Sequence, residues 1–215
     1  MAKPPPSKAP ASRGAVLPDA GTRVEWITVL MAAIGVAVSA YLGLIKLAGG
    51  SALLCQAGGG CDIVQASRYA SILGIPTALW GTAFYVAVGG LGALGFSPPR
   101  WRWAFVLAVA GATFSLYLTI VSLVVIQAAC VYCLASTLVA LLLLGVILWR
   151  RPPSTGRRAS LRWSRVAILG GAAAVGTLAV AAGIFASYPG GMTGYQSALA
   201  RHLARSNAVM YGVYW

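Results

Sequence analysis

Charge is almost missing from this sequence, acidic charge above all. Of 215 residues 9% are charged, and only Asp19, Glu25 and Asp62 are acids. The chain has one histidine, His202, and four cysteines. These shortages exclude a good deal. With its histidine far away in the tail, and with four thiolates facing lipid a poor structural site, the cysteines are not read as metal ligands. No acid or base stands at the centre of an apolar run, which argues against a transporter, because transport leaves ionisable residues inside spans.

What fills the sequence instead is apolar. At 59% hydrophobic residues, the chain has more apolar surface than a soluble domain of this size can hide. The fold class is therefore an all-α, multi-pass membrane protein. A net charge of +13 would suggest nucleic acid in a soluble protein. Here the basic residues cluster at the ends of apolar runs, the mark of membrane topology, and no nucleic-acid partner is expected.

Residues 1–24 carry Pro4, Pro5, Pro6, Pro10 and Pro18 and read as a disordered basic tail. The first apolar run shows no convincing small-residue cleavage site and is expected to be retained as a span. Spans are expected at about Trp26–Leu47, Pro76–Phe96, Trp101–Gln127, Cys130–Trp149 and Val166–Ser187. The uncharged run from Trp103 to Trp149 is 47 residues, enough for two spans, and Gln127 with the cysteines beyond it marks the turn. Residues 25–150 thus form a domain of four spans with a loop at 48–75. A basic linker at 151–165, a fifth span at 166–187 and a tail at 188–215 follow. In that tail Tyr195–Ser206 reads as a short helix and Ala208–Trp215 as a β-strand. Ser97-Pro98-Pro99-Arg100 reads as a tight polar turn, and Gly89, Gly90, Gly92 and Gly95 as a surface for close helix approach.

Lysine and arginine are sided. With the N-terminus inside, 12 of the 16 fall on inner segments, leaving Lys46, Arg68, Arg201 and Arg205 outside. That sets a cytoplasmic N-terminus and a periplasmic C-terminus in a bacterial cell (inner) membrane. All four cysteines then face the outer compartment, which is oxidising.

The cysteines come as two pairs, Cys55/Cys61 in the loop and Cys130/Cys133 opening the fourth span. Two structural disulfides, or small apolar side chains in a bundle, would explain them blandly, in a non-catalytic scaffold or small transporter. Two pairs at one membrane surface, one a CxxC, favour redox work. Cys130 sits at the positive end of a helix dipole, which lowers a thiol's pKa, and Cys133 lies one turn deeper. Gly58-Gly59-Gly60 makes the segment after Cys55 mobile, while 61–69 reads as a short helix in the interface.

The order Cys55, Cys61-Asp-x-Val-x-x-Ser67-Arg68-Tyr69, Leu-Gly-Ile-Pro-Thr-Ala-Leu-Trp-Gly at 73–81, then Cys130-x-x-Cys133 resembles the vitamin K epoxide reductase family. The likeness covers about residues 25–150. It implies a four-helix bundle around a quinone, ubiquinone or menaquinone, acting as electron acceptor. It implies a membrane thiol:quinone oxidoreductase that generates disulfides in a periplasmic thioredoxin-like protein or domain. In fused members a fifth span leads to that domain through a strand similar to the one read at 208–215, and the chain stops before any thioredoxin-like cysteines.

By the same resemblance Cys55 exchanges with the partner, Cys61 relays to Cys130, and Cys133 faces the quinone. Ser67 would donate a hydrogen bond near the quinone. Thr77 stands where some animal members have an asparagine, and Thr137 where they have a tyrosine. Trp80 and Phe84, with Phe114 and Tyr117, are candidates for the quinone slot. A third reading keeps the fold but runs it as a quinone or epoxide reductase driven by a reducing partner.

Overall fold

The computed structural model describes residues 24–48, 50, 52–53, 55, 59–151, 163–187 and 202. The expected helix at Tyr195–Ser206, apart from His202, and the strand at 208–215 lie outside the described residues. Among the described residues six α-helices carry the fold: α1 Trp26–Ala48, α2 Gly60–Ala66, α3 Thr77–Ala93, α4 Pro98–Ile120, α5 Val131–Trp149 and α6 Trp163–Ser187. Four of them, α1, α4, α5 and α6, are long and apolar enough to cross a membrane, and α3 is a shorter apolar helix. The protein is an all-α, multi-pass membrane protein.

Helix α4 begins three residues before the expected span. Ser97 is its N-cap and the two prolines occupy its first turn, where a missing N–H costs nothing because no carbonyl precedes it. The expected polar turn is thus the start of a helix. At its far end α4 widens into a π segment, Val121–Ile126, which Gln127 stops in a left-handed conformation at φ 54°. Ser122 secures the link, its Oγ donating to Ala128 O at 2.5 Å. Three more residues lead into α5. Helix α6 likewise starts at Trp163, inside the stretch expected to be linker.

The loop between α1 and α3 is built rather than loose. After α2 come a 3₁₀ turn, Arg68–Ala70, and a hairpin of β1 Ser71–Ile72 and β2 Ile75–Pro76, antiparallel with Ser71 opposite Pro76. Leu73 and Gly74 make the two-residue turn with φ 53° and 80°, as such hairpins require. The helix expected over 61–69 breaks at Ser67, whose extended backbone caps α2.

Packing follows small residues. Along the α1–α3 seam a Cβ on Gly89 or Gly92 would stand 3.0 Å from Ala32 or Thr28, and Gly35 lies under the Tyr85 ring. Without a hydrophobic drive inside lipid, such close backbone approach supplies much of the helix association. Gly90 meets nothing within 4 Å, so only part of the expected glycine surface serves the seam. At the arginine-rich end, buried Trp101 stacks on Phe105 at 5.4 Å and its Nε1 donates to Ile147 O at 2.8 Å. In a bundle such a bond contributes about 1 kcal/mol. Glu25 pairs with Arg150 at 3.3 Å at this same end. All four cysteines lie at the opposite end. Helix α6 packs on α4, outside the bundle made by α1, α3, α4 and α5.

Candidate functional site

The two cysteine pairs are in different states. Cys55 and Cys61 form a disulfide with Cα atoms 5.9 Å apart, and Cys130 and Cys133 are thiols. Cys61 is buried in the first turn of α2. What brings α2 to the inner pair is Gly60, which packs against the backbone of Ala129; a Cβ there would collide with the Ala129 carbonyl oxygen. Gly60 is therefore a helical contact residue and not part of a mobile spacer. Cys61 follows Gly60 and Cys130 follows Ala129 in the chain, so this contact joins the two segments that carry them.

Cys130 caps α5 from outside the span and is almost fully buried. Its sulfur accepts from the Cys133 N–H at 3.3 Å and from the Cys133 Sγ–H at 2.7 Å. Donation by the Cys133 thiol is the main reason its pKa is lowered to about 7, against the opposing effect of burial. With Cys55 and Cys61 both replaced by serine, thiolate absorbance near 240 nm is expected to rise with a midpoint of about 7. A first titration step near the ordinary thiol value would show that the cap does not activate Cys130.

Two tyrosines tie the segment before Cys55 to this centre. Tyr41 of α1 accepts from Leu53 N–H at 2.9 Å, and Tyr132, inside the CxxC, donates to Leu53 O. Their rings lie 5.7 Å apart. Leu53 is thus held at both its amide and its carbonyl. Neither tyrosine announces this in the sequence.

Below the thiols lies a cavity of about 340 Å³. Cys133 is on its wall and Cys130 is not. The structure brings Thr77, Trp80, Phe84, Phe114 and Thr137 to the same cavity. Phe84 rests on Gly111 of α4, and the Thr137 hydroxyl donates to Cys133 O at 2.9 Å and pairs with Thr119 at 2.8 Å. Ser67 is elsewhere: its hydroxyl donates to Val64 O at 2.6 Å, and it lines a second cavity near the hairpin. Tyr117 packs on Phe185 of α6.

Sequence reasoning passed over Ser39, Lys46, Gln65, Ser115, Thr119 and Ser136, all on the wall of the main cavity. A signal was present. Ser115, Thr119 and Ser122 recur at i, i+4 and i+7, and Ser39 and Lys46 at i and i+7, so each set shares a helix face. Hydroxyls on one face of an otherwise apolar span mark what that face looks into.

Residues 26–148 match the Vitamin K epoxide reductase family. The match takes in the four bundle helices and both cysteine pairs and leaves α6 outside. Proteins of this family are membrane oxidoreductases that couple thiol–disulfide exchange with quinones. With a disulfide and a dithiol meeting at one end of a helical bundle, this chain belongs to the vitamin K epoxide reductase family.

Proposed function

We propose that this protein is a disulfide-forming thiol:quinone oxidoreductase of a bacterial cell membrane, with its N-terminus cytoplasmic and its cysteines periplasmic. One observation carries the reading. Both cysteine pairs lie at the same end of the bundle, and of the four cysteines only Cys133 lines the main cavity. A scaffold with structural disulfides gives no reason for an unbridged CxxC on a cavity wall.

The cavity suits a quinone. Its walls are mainly aliphatic and aromatic, with Trp80 and Phe84 along α3, and its polar groups are hydroxyls, the Gln65 amide, the Cys133 thiol and one ammonium. A flat, mostly apolar ring with two carbonyl acceptors matches that set. Bound there, a quinone, ubiquinone or menaquinone, supplies a two-electron, two-proton acceptor.

The chain's own residues do the rest. A thiolate of a periplasmic thioredoxin-like partner attacks Cys55, releasing Cys61. The partner's second thiol then closes its own disulfide and frees Cys55. The Cys61 thiolate attacks the oxidised inner pair at Cys130, releasing Cys133, and Cys55 re-forms its bond to Cys61. Each step exchanges one S–S bond for another, so it needs only sulfur access and matched potentials. The inner dithiol, with Cys133 on the cavity wall, then holds both electrons.

The test uses the purified full chain in lipid vesicles, with a reduced thioredoxin-like protein and a quinone. One disulfide should form in the partner for each quinone reduced. Loss of partner thiols without quinone reduction would defeat the proposal. Orientation has its own check in reduced intact cells, where an impermeant maleimide should label Cys55. Labelling only after lysis would reverse the topology.

A further inference from the structure

Among the described residues Lys46 is the only charged side chain on the wall of the main cavity, at the C-terminal end of α1. Its Nζ donates to Gln65 O at 2.7 Å and Ala70 O at 3.0 Å, which uses two of an ammonium's three N–H groups. The same side chain lines the second cavity, of about 330 Å³, together with Gln65, Ser67, Arg68 and Ser71. That cavity lies at the cysteine end, where Arg68 is exposed. One ammonium therefore stands between a chamber with almost wholly apolar walls and one with a larger share of polar groups.

Among the described residues no carboxylate or histidine lines the main cavity. Of its other polar groups, Thr77, Thr119, Thr137 and Tyr85 already direct their hydroxyls to backbone carbonyls at 3.3 Å or less. Tyr69 shares this wall, but its hydroxyl accepts from the exposed Arg68 guanidinium at 2.7 Å, so among the described residues Lys46 is the cationic proton donor that the wall offers beside the Cys133 thiol.

Resting on the function proposed above, we propose that Lys46 is a catalytic residue: it hydrogen-bonds the acceptor's oxygen, gives it a proton during reduction, and is reprotonated through the second cavity. The balance is simple. The inner pair enters as one thiolate and one thiol, and forms one S–S bond as it yields two electrons. The quinone gains those electrons, the proton of the remaining thiol and one proton from the Lys46 ammonium, leaving as hydroquinone. Neutral Lys46 then takes a proton from water on the outer side, where the other thiol's proton had gone. Holding the interface segment through Gln65 and Ala70, Lys46 is fixed in place for this work.

The test separates charge from proton delivery, using the full chain and a short-chain ubiquinone analogue. Lys46→Arg keeps the charge but has no proton to release at neutral pH. Its affinity for the analogue, measured by calorimetry, should stay within about threefold, while single-turnover reduction by the pre-reduced inner pair falls about a hundredfold. Lys46→Met should lose both. Methylammonium should restore reduction to Lys46→Ala, which guards against a folding defect in the methionine variant. Wild-type single-turnover rates in Lys46→Met or Lys46→Arg, or Lys46→Ala unmoved by the amine, would overturn the role of Lys46 alone. If the wild type exchanged disulfides yet reduced no quinone, both this role and the function above would fall.

Discussion

Cys133→Ala is expected to stop electron transfer to quinone, lowering the rate at least about a thousandfold, some 4 kcal/mol of barrier. The reason is positional. Of the two inner cysteines only Cys133 reaches the cavity wall, while Cys130 is enclosed at the helix cap. Removing the Cys133 sulfur also removes the S–H that stabilises the Cys130 thiolate, so Cys130 should titrate higher in the variant. Capture of Cys61 by Cys130 should nonetheless survive, as both sulfurs remain. Mass spectrometry of alkylated, non-reduced peptides would then find the Cys61–Cys130 disulfide accumulating. Normal quinone turnover in Cys133→Ala would give its role to another group.

Gly60→Ala is expected to have the next largest effect, and on a different step. The added methyl meets the Ala129 carbonyl oxygen, which is backbone and has no rotamer to retreat to. Helix α2 must therefore shift outward, carrying Cys61 with it. Displacing a reacting group by about 1 Å costs on the order of a hundredfold in rate. Exchange between the outer and inner pairs should slow by that much, while quinone reduction by a chemically reduced inner pair stays normal. Gly145→Ala is the control. Gly145 also sits within a helix, but nothing lies within 4 Å of a Cβ there, so its relay rate should not move. A wild-type relay rate in Gly60→Ala would mean that the two pairs do not depend on this contact.

These two positions also show what sequence can and cannot convey. The CxxC at a span's start and the sided arginines are local signals, and the bundle helices follow from them to within a few residues at each end. Pro98 and Pro99 misled because proline is as much at home in a helix's first turn as in a loop. Gly60 misled for a related reason. A glycine run reads as mobility when seen alone, and the Ala129 backbone that explains it lies 69 positions away in the chain. Lys46 counts in the sequence as one of four outer basic residues, which says nothing of the two carbonyls and two cavities that surround it. Ser67 is named by the resemblance, and the break in the helix at that residue, which turns its hydroxyl to Val64, is not visible in the local sequence. Contacts between distant segments leave no trace in local periodicity.

One helix has a bearing on the lipid around the protein. At 17 residues, α3 rises about 26 Å, short of the roughly 30 Å of a typical hydrocarbon layer. The bilayer must draw in beside it, at a fraction of a kcal/mol for each ångström of mismatch. That dimple forms on the flank where Trp80, half exposed, and Phe84 make up the cavity wall. If the function proposed here holds, acyl-chain thickness becomes a variable of its rate: membranes that thin readily ease the strain along α3, and thick, stiff ones work against the wall of the main cavity.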